Sequence, residues 1–176
     1  MSRRALAPIA FCLVAAGYGL VAPAAYGQGA AITVAVLPFE SAGAYGEERD
    51  TVERLRLEIA ERLAAELGKR AGVTAVDPAQ LDRALRERQL RGQDHLDATT
   101  AAAIGKRVGA QFAVRGSFVD HYGRFRLNTQ IVETGSGRIL RVISNVDPKL
   151  QRRADLAKIV EQEAGLIVEE MRKASP

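Results

Sequence analysis

The sequence predicts an α/β (α+β) fold: a mixed β-sheet with helices packed on it, in the order β-α-β-α-α-β-β-β-α. Three observations predict it. Strand-like and helical hydrophobic periods alternate along the first half of the chain. Three strand-like runs then follow one another with tight turns between them. A last amphipathic run closes the sequence. Composition agrees, since 47% of the 176 residues are hydrophobic and 26% charged, with one Cys and no Trp. That excludes collagen, a disulfide scaffold and a disordered tail.

The N-terminus has a different logic. Arg3 and Arg4 precede an apolar run from Ile9 through Leu20-Val-Ala, which ends in Ala24-Ala25-Tyr26-Gly27. Charge, apolar stretch and small residues in that order make a secretory signal. Residues 1–27 are expected to be removed, leaving 28–176 as one domain. A membrane span needs ~20 uninterrupted apolar residues, and Gly17, Gly19 and Pro23 interrupt this run. No span is therefore expected after cleavage. Cys12 follows Phe11, where a lipobox demands a small residue, so the expectation is a periplasmic protein and not a lipoprotein. The leader holds two Arg, no acid and the single Cys, so its removal takes the formal charge from +4 to +2. Thiol and disulfide chemistry leave with it.

The elements follow in order. Ile32 to Phe39 is apolar on both faces, as a central strand requires. Ser41 to Asp50 is rich in Gly and Ala and reads as a loop. Val52, Leu55, Ile59, Leu63 and Leu67 form one helical stripe from about Asp50 to Lys69, and Gly68 or Gly72 ends it. Val73 to Val76 is a short strand. Asp77-Pro78 opens a second helix, with Asp as N-cap and Pro at the first position. Asp97 caps a third, closed by Gly109.

Residues 110–146 read as three antiparallel strands, turning at Asp120–Gly123 and Thr134–Gly137. Pairing Val119 with Arg124 would set Phe118 opposite Phe125 and Phe112 opposite Ile131. Pairing Glu133 with Arg138 would set Ile131 opposite Leu140 and Thr129 opposite Val142. Arg115, Ser117, Arg126, Asn128, Gln130 and Arg141 then share the polar face. Asp147-Pro148 is expected to cap the last helix, which buries Leu156, Val160, Ile167 and Met171 and runs to about Lys173.

Catalytic chemistry finds little support. His95 and His121 lack metal-ligand partners at useful spacing, and no Ser lies in a nucleophile elbow. Ser136 belongs to a Gly-flanked turn. No phosphate-cradling Gly-rich loop is present, so no catalytic residue, metal or cofactor is expected. Arg83, Arg86, Arg88 and Arg91 alternate with Asp82 and Glu87, as on a solvated helix face. Without interleaved aromatics they do not suggest nucleic acid. The basic sheet face is the better candidate. Arg115, Arg126, Asn128, Gln130 and Arg141 are expected to bind a partner, because the arginine fork suits carboxylates.

Val34-Ala-Val-Leu-Pro-Phe-Glu40 resembles the opening strand of a bacterial envelope superfamily. It includes CsgG-type curli-secretion, FlgO-type flagellar and LpoB-type penicillin-binding-protein-activator domains, and the TolB N-terminal domain. Val76 to Gln89, Thr100 to Ser117 and Ile131 to Leu140 are similar to later motifs of the same superfamily, in order. The resemblance implies a non-enzymatic Gram-negative cell-envelope domain that mediates protein–protein interaction in envelope assembly or secretion. It also implies association with the outer membrane. The protein partner is unidentified, and a homo-oligomer is possible. The alternative is a self-associating component of an envelope ring or appendage, and after it a small-ligand carrier or hydrolase. The tight turns leave no room for curli-type membrane hairpins, and only Gln28 to Ala31 stand where the activator lipoproteins have a long tether.

Overall fold

The computed structural model describes residues 31–90, 96–144 and 147–175. The expected leader, with Cys12, and the loop residues Arg91 and His95 lie outside them. The elements are β1 (Ile32–Val36), β2 (Glu40–Tyr45), α1 (Arg49–Gly68), β3 (Val73–Ala75), α2 (Pro78–Glu87) and α3 (Ala98–Arg107). They continue with β4 (Phe112–His121), β5 (Arg124–Glu133), β6 (Ile139–Ser144) and α4 (Leu156–Ala174). The strands form one mixed sheet in the order β3-β1-β4-β5-β6, with β2 also on β4. The fold class agrees with the expectation.

β1 is central and parallel to both β3 and β4. Pro38 has no N–H to give a ladder and ends it. The chain then re-enters the sheet as β2, parallel to the far half of β4. The expected loop from Ser41 is thus a strand as far as Tyr45. Its register shifts between Ser41 and Gly43, and such a bulge disrupts the alternation by which a strand is recognised. Buried Arg56 fastens the break. Its Nε donates to the Phe39 carbonyl at 2.7 Å, and its Nη1 pairs with Glu53 at 2.9 Å.

Alternate residues sort into two layers. Val34, Val36, Phe112, Val114, Phe118, Phe125, Leu127, Ile131 and Ile143 form the larger core with α1 and α4. The Leu55, Ile59, Leu63 and Leu67 stripe of α1 is buried there, as are Leu156, Val160, Ile167 and Met171 of α4. On the reverse face Ala35, Leu37, Ala113 and Val132 meet α2 and α3. The two caps form as expected: Asp77 Oδ1 accepts from Ala79 N, and Asp97 Oδ1 from Thr100 N.

The hairpins depart from the expected register. Tyr122 and Gly123 have φ of 49° and 81°, the left-handed pair of a two-residue type I′ turn. His121 consequently opposes Arg124, and Phe118 opposes Leu127 rather than Phe125. A displacement of two residues leaves each side chain on its face, and the Phe118 and Phe125 rings still stack at 5.9 Å. The second hairpin begins as expected, with Glu133 N donating to Arg138 O and Val132 opposite Ile139. A bulge at Leu140 then moves the pairing by one. Ile131 opposes Arg141, and Thr129 opposes Ile143.

The last helix also starts later than expected. Asp147 Oδ1 accepts from Lys149 N at 2.8 Å within a turn. The chain then bridges Arg152 back to Arg124 before a short 3-10 turn leads into α4.

Candidate functional site: an open, basic sheet face

The face carrying α2 and α3 is only half covered. Beyond those helices it displays Arg115, Ser117 and Val119 of β4, Arg124, Arg126, Asn128 and Gln130 of β5, and Val142 and Ser144 of β6, as the registers require. Four of the five expected residues thus share this face. Their environments differ. Arg126 is exposed. Asn128 accepts a hydrogen bond from Ser144 Oγ at 2.7 Å. The Arg115 side chain is 11% exposed and lies 3.8 Å from the Glu40 carboxylate, which itself accepts from Leu96 N at 2.7 Å. Buried Arg115 Nε and Gln130 Oε1 have no hydrogen-bond partner among the described residues. Arg115 therefore belongs to a half-buried cluster where the helix layer ends, not to the exposed face.

Arg141 is the correction. The bulge at Leu140 turns it to the opposite face, beside Ile131. There its Nη1 meets Glu170 of α4 at 2.6 Å. Lys173 first and Arg141 second hold Glu170 below the usual carboxylate range. Its charge is engaged in joining the sheet to α4. Val142 takes the place expected for Arg141 and is 55% exposed; Ile139, on the same face, is 42% exposed.

Three cations missing from the sequence reading join Arg126. Arg124 lies two residues along β5, on the same face and so roughly 7 Å away. Arg152 is directly opposite Arg124 in the isolated bridge. Lys149 is exposed in the preceding turn. Arg124 was readable from the alternation of β5, but Arg152 arrives through an irregular segment that no periodicity announces. Beside them a cleft of about 300 Å³ is lined by Arg126, Asn128, Ser144, Pro148 and Gln151.

The neighbouring acids are already engaged. Buried Asp120 takes Arg153 at 2.7 Å and Gly123 N at 3.1 Å, and Glu47 takes Arg153 at 2.9 Å. Burial disfavours the Arg153 charge, yet these two carboxylates outweigh it and raise its pKa. Asp155 lies 3.4 Å from Arg152. Among the described residues no acid pairs with Arg124, Arg126 or Lys149. Like charges directly opposite in a sheet are destabilising; Asp155, which also caps the 3-10 turn with Arg152, offsets that cost on the Arg152 side and leaves Arg124 without an acid among the described residues.

Such a surface can hold anions and polar or apolar side chains. The His121 ring packs against Tyr122 at 5.1 Å. Ser136 Oγ donates to Glu133 within its turn. Among the described residues no three His, Cys, Asp or Glu converge as a metal site would require. No described helix is long and apolar enough to cross a membrane.

No protein-family model matches the chain, and no curated protein matches it. Solved structures do. The solution structure of LpoB from Escherichia coli covers 82% of this chain and 81% of its own, at 18% identity and a TM-score of 0.51. The crystal structure of the lipoprotein GNA1162 from Neisseria meningitidis covers 77% and 96%, at 13% identity and a TM-score of 0.50. The LpoB C-terminal domain from Salmonella enterica covers 65% and 81%, at 21% identity and a TM-score of 0.48. At these identities the likeness is one of fold, and the fold is one found in bacterial envelope proteins, in keeping with the resemblance read from the sequence motifs.

Proposed function

We propose that the protein is a non-enzymatic domain of the bacterial cell envelope, exported to the periplasm, that binds a protein partner through the uncovered half of its sheet. The observation that carries this is the asymmetry of the two faces. One is sealed by α1 and α4. The other is sealed only as far as α3 and then exposes Arg124, Arg126, Val142 and Ser144 together. Aliphatic side chains beside arginines, on a rigid sheet, are the composition of an interaction surface. The envelope setting is supported by the signal-like leader and by the shared fold.

Position-specific photocrosslinking in the native host tests the reading. A photoreactive residue at Asn128 or Val142 is expected to trap one protein. The same residue at Lys158 or Glu169, on the outer side of α4, is expected to trap none. Crosslinks from α4 alone, or from no position, overturn it. Self-association is the second reading, favoured by β6, whose outer edge pairs with no described strand. Sedimentation separates the two: a monomer at micromolar concentration removes the ring.

A further inference from the structure

We propose that the cation cluster at the open end of this face docks an extended acidic segment of the partner, with its carboxylates on alternate residues. The inference rests on the face reading above and names the chemistry of its ligand. Charge complementarity carries it. Arg124, Arg126 and Lys149 have no acidic partner among the described residues, and Arg124 is set directly against Arg152. Of the local acids, Glu47 and Asp120 are turned to Arg153 and Asp147 into its turn, while Asp155 meets Arg152 at 3.4 Å and reaches neither Arg124 nor Arg126. An incoming anion offsets the charge on Arg124 and Arg126 that no described acid neutralises.

Spacing selects the form of that anion. Arg124 and Arg126 are successive same-face residues of one strand. Their separation therefore equals that of alternate side chains on another extended chain. A carboxylate on every second residue can meet one guanidinium fork after the other, in the bidentate geometry that arginine favours. The cleft of about 300 Å³ next to Arg126 offers Asn128, Ser144 and Gln151 as further polar contacts. Further along the same face, exposed Val142 and Ile139 provide apolar contacts for the rest of the segment. A flat lipid surface would use neither the cleft nor the spacing.

The test uses a fluorescently labelled peptide of alternating Glu and Val, with an alternating Lys–Val peptide as control, read by anisotropy. The Glu–Val peptide is expected to bind and the control not. Binding should weaken with added salt. The combined Arg124→Ser, Arg126→Ser and Arg152→Ser variant should weaken it roughly tenfold or more, as loss of charge-assisted hydrogen bonds implies. If that variant fails to fold, Arg126→Gln serves in its place. Equal binding by wild type and variant, or no binding by wild type, overturns the proposal. Binding to phosphatidylglycerol vesicles in preference to the peptide also overturns it and identifies a membrane as the anion's source. Crosslinks from Asn128 and Val142 that persist in the triple variant would leave the face reading standing and remove the acidic ligand. Absence of both the crosslinks and the peptide binding in the wild-type protein removes both.

Discussion

Glu163 is fully buried on α4, against β5. Thr129 Oγ1 donates to its Oε2 at 2.5 Å, and its Oε1 has no partner among the described residues. Burial pushes its pKa up to about 8, against the smaller opposing effect of the Thr129 hydroxyl. A carboxyl released from the fold returns to about 4.5. Between those values the native state keeps a proton that the unfolded state has lost. Stability therefore falls as pH rises from about 4.5 to about 8, with a limiting slope of roughly 1.4 kcal/mol per pH unit from this group. Glu163→Gln copies the neutral acid in shape. Its melting temperature is expected to match wild type near pH 5 and to exceed it at pH 8. Melting curves whose difference is independent of pH would show that Glu163 does not hold its proton.

The elements show what alternation conveys and what it omits. At the β1–β2 break a Cβ on Gly116 would lie 2.3 Å from both the Phe39 ring and the Asn128 carbonyl. Gly116→Ala is expected to cost about 1–3 kcal/mol by overpacking, measured by urea denaturation. A loss under about 0.5 kcal/mol, within the ordinary range of harmless surface changes, would mean that the break yields easily. The first three helices, the Asp77 and Asp97 caps and the buried stripes were legible because a period of 3.6 and an Asp start are local signals, whereas Asp147-Pro148 gives the same signal and forms a turn, with α4 starting at Leu156. So were the strand order of the meander and the sharing of one face by Arg126, Asn128 and Gln130. The bulges were not. Nothing about Leu140 announces an extra residue, yet its insertion sends Arg141 to Glu170 and brings Val142 to the open face. β2 was hidden for the same reason, by the shift between Ser41 and Gly43. Arg152 stayed unread because its place beside Arg124 depends on a bridge from an irregular segment.

At the scale of the whole molecule the sheet divides two unequal cores. The α1–α4 layer buries Phe, Leu, Ile and Met from both helices and from the strands β1, β4, β5 and β6. The α2–α3 layer is smaller and richer in Ala, which stands beside larger residues such as Leu81, Leu85 and Ile104. Hydrophobic stabilisation scales with the apolar area buried, so the thinner layer is expected to open first, as a unit, without loss of the sheet. Leu63→Ala, in the larger core, is expected to lower global stability by about 2–5 kcal/mol. Leu85→Ala is expected instead to speed amide exchange across α2 and α3 while the amides of α4 keep their protection. The contrast has a functional side. The segment that leads into α3 borders the open face, where Glu40 ties it to the Arg115 cluster through Leu96 N. Loosening this layer therefore leaves Arg124 and Arg126 in place but uncovers more of the sheet beside them. Hydrogen exchange read by mass spectrometry on the two variants decides the point. Equal exchange in both helical layers of Leu85→Ala would show that the two cores open together.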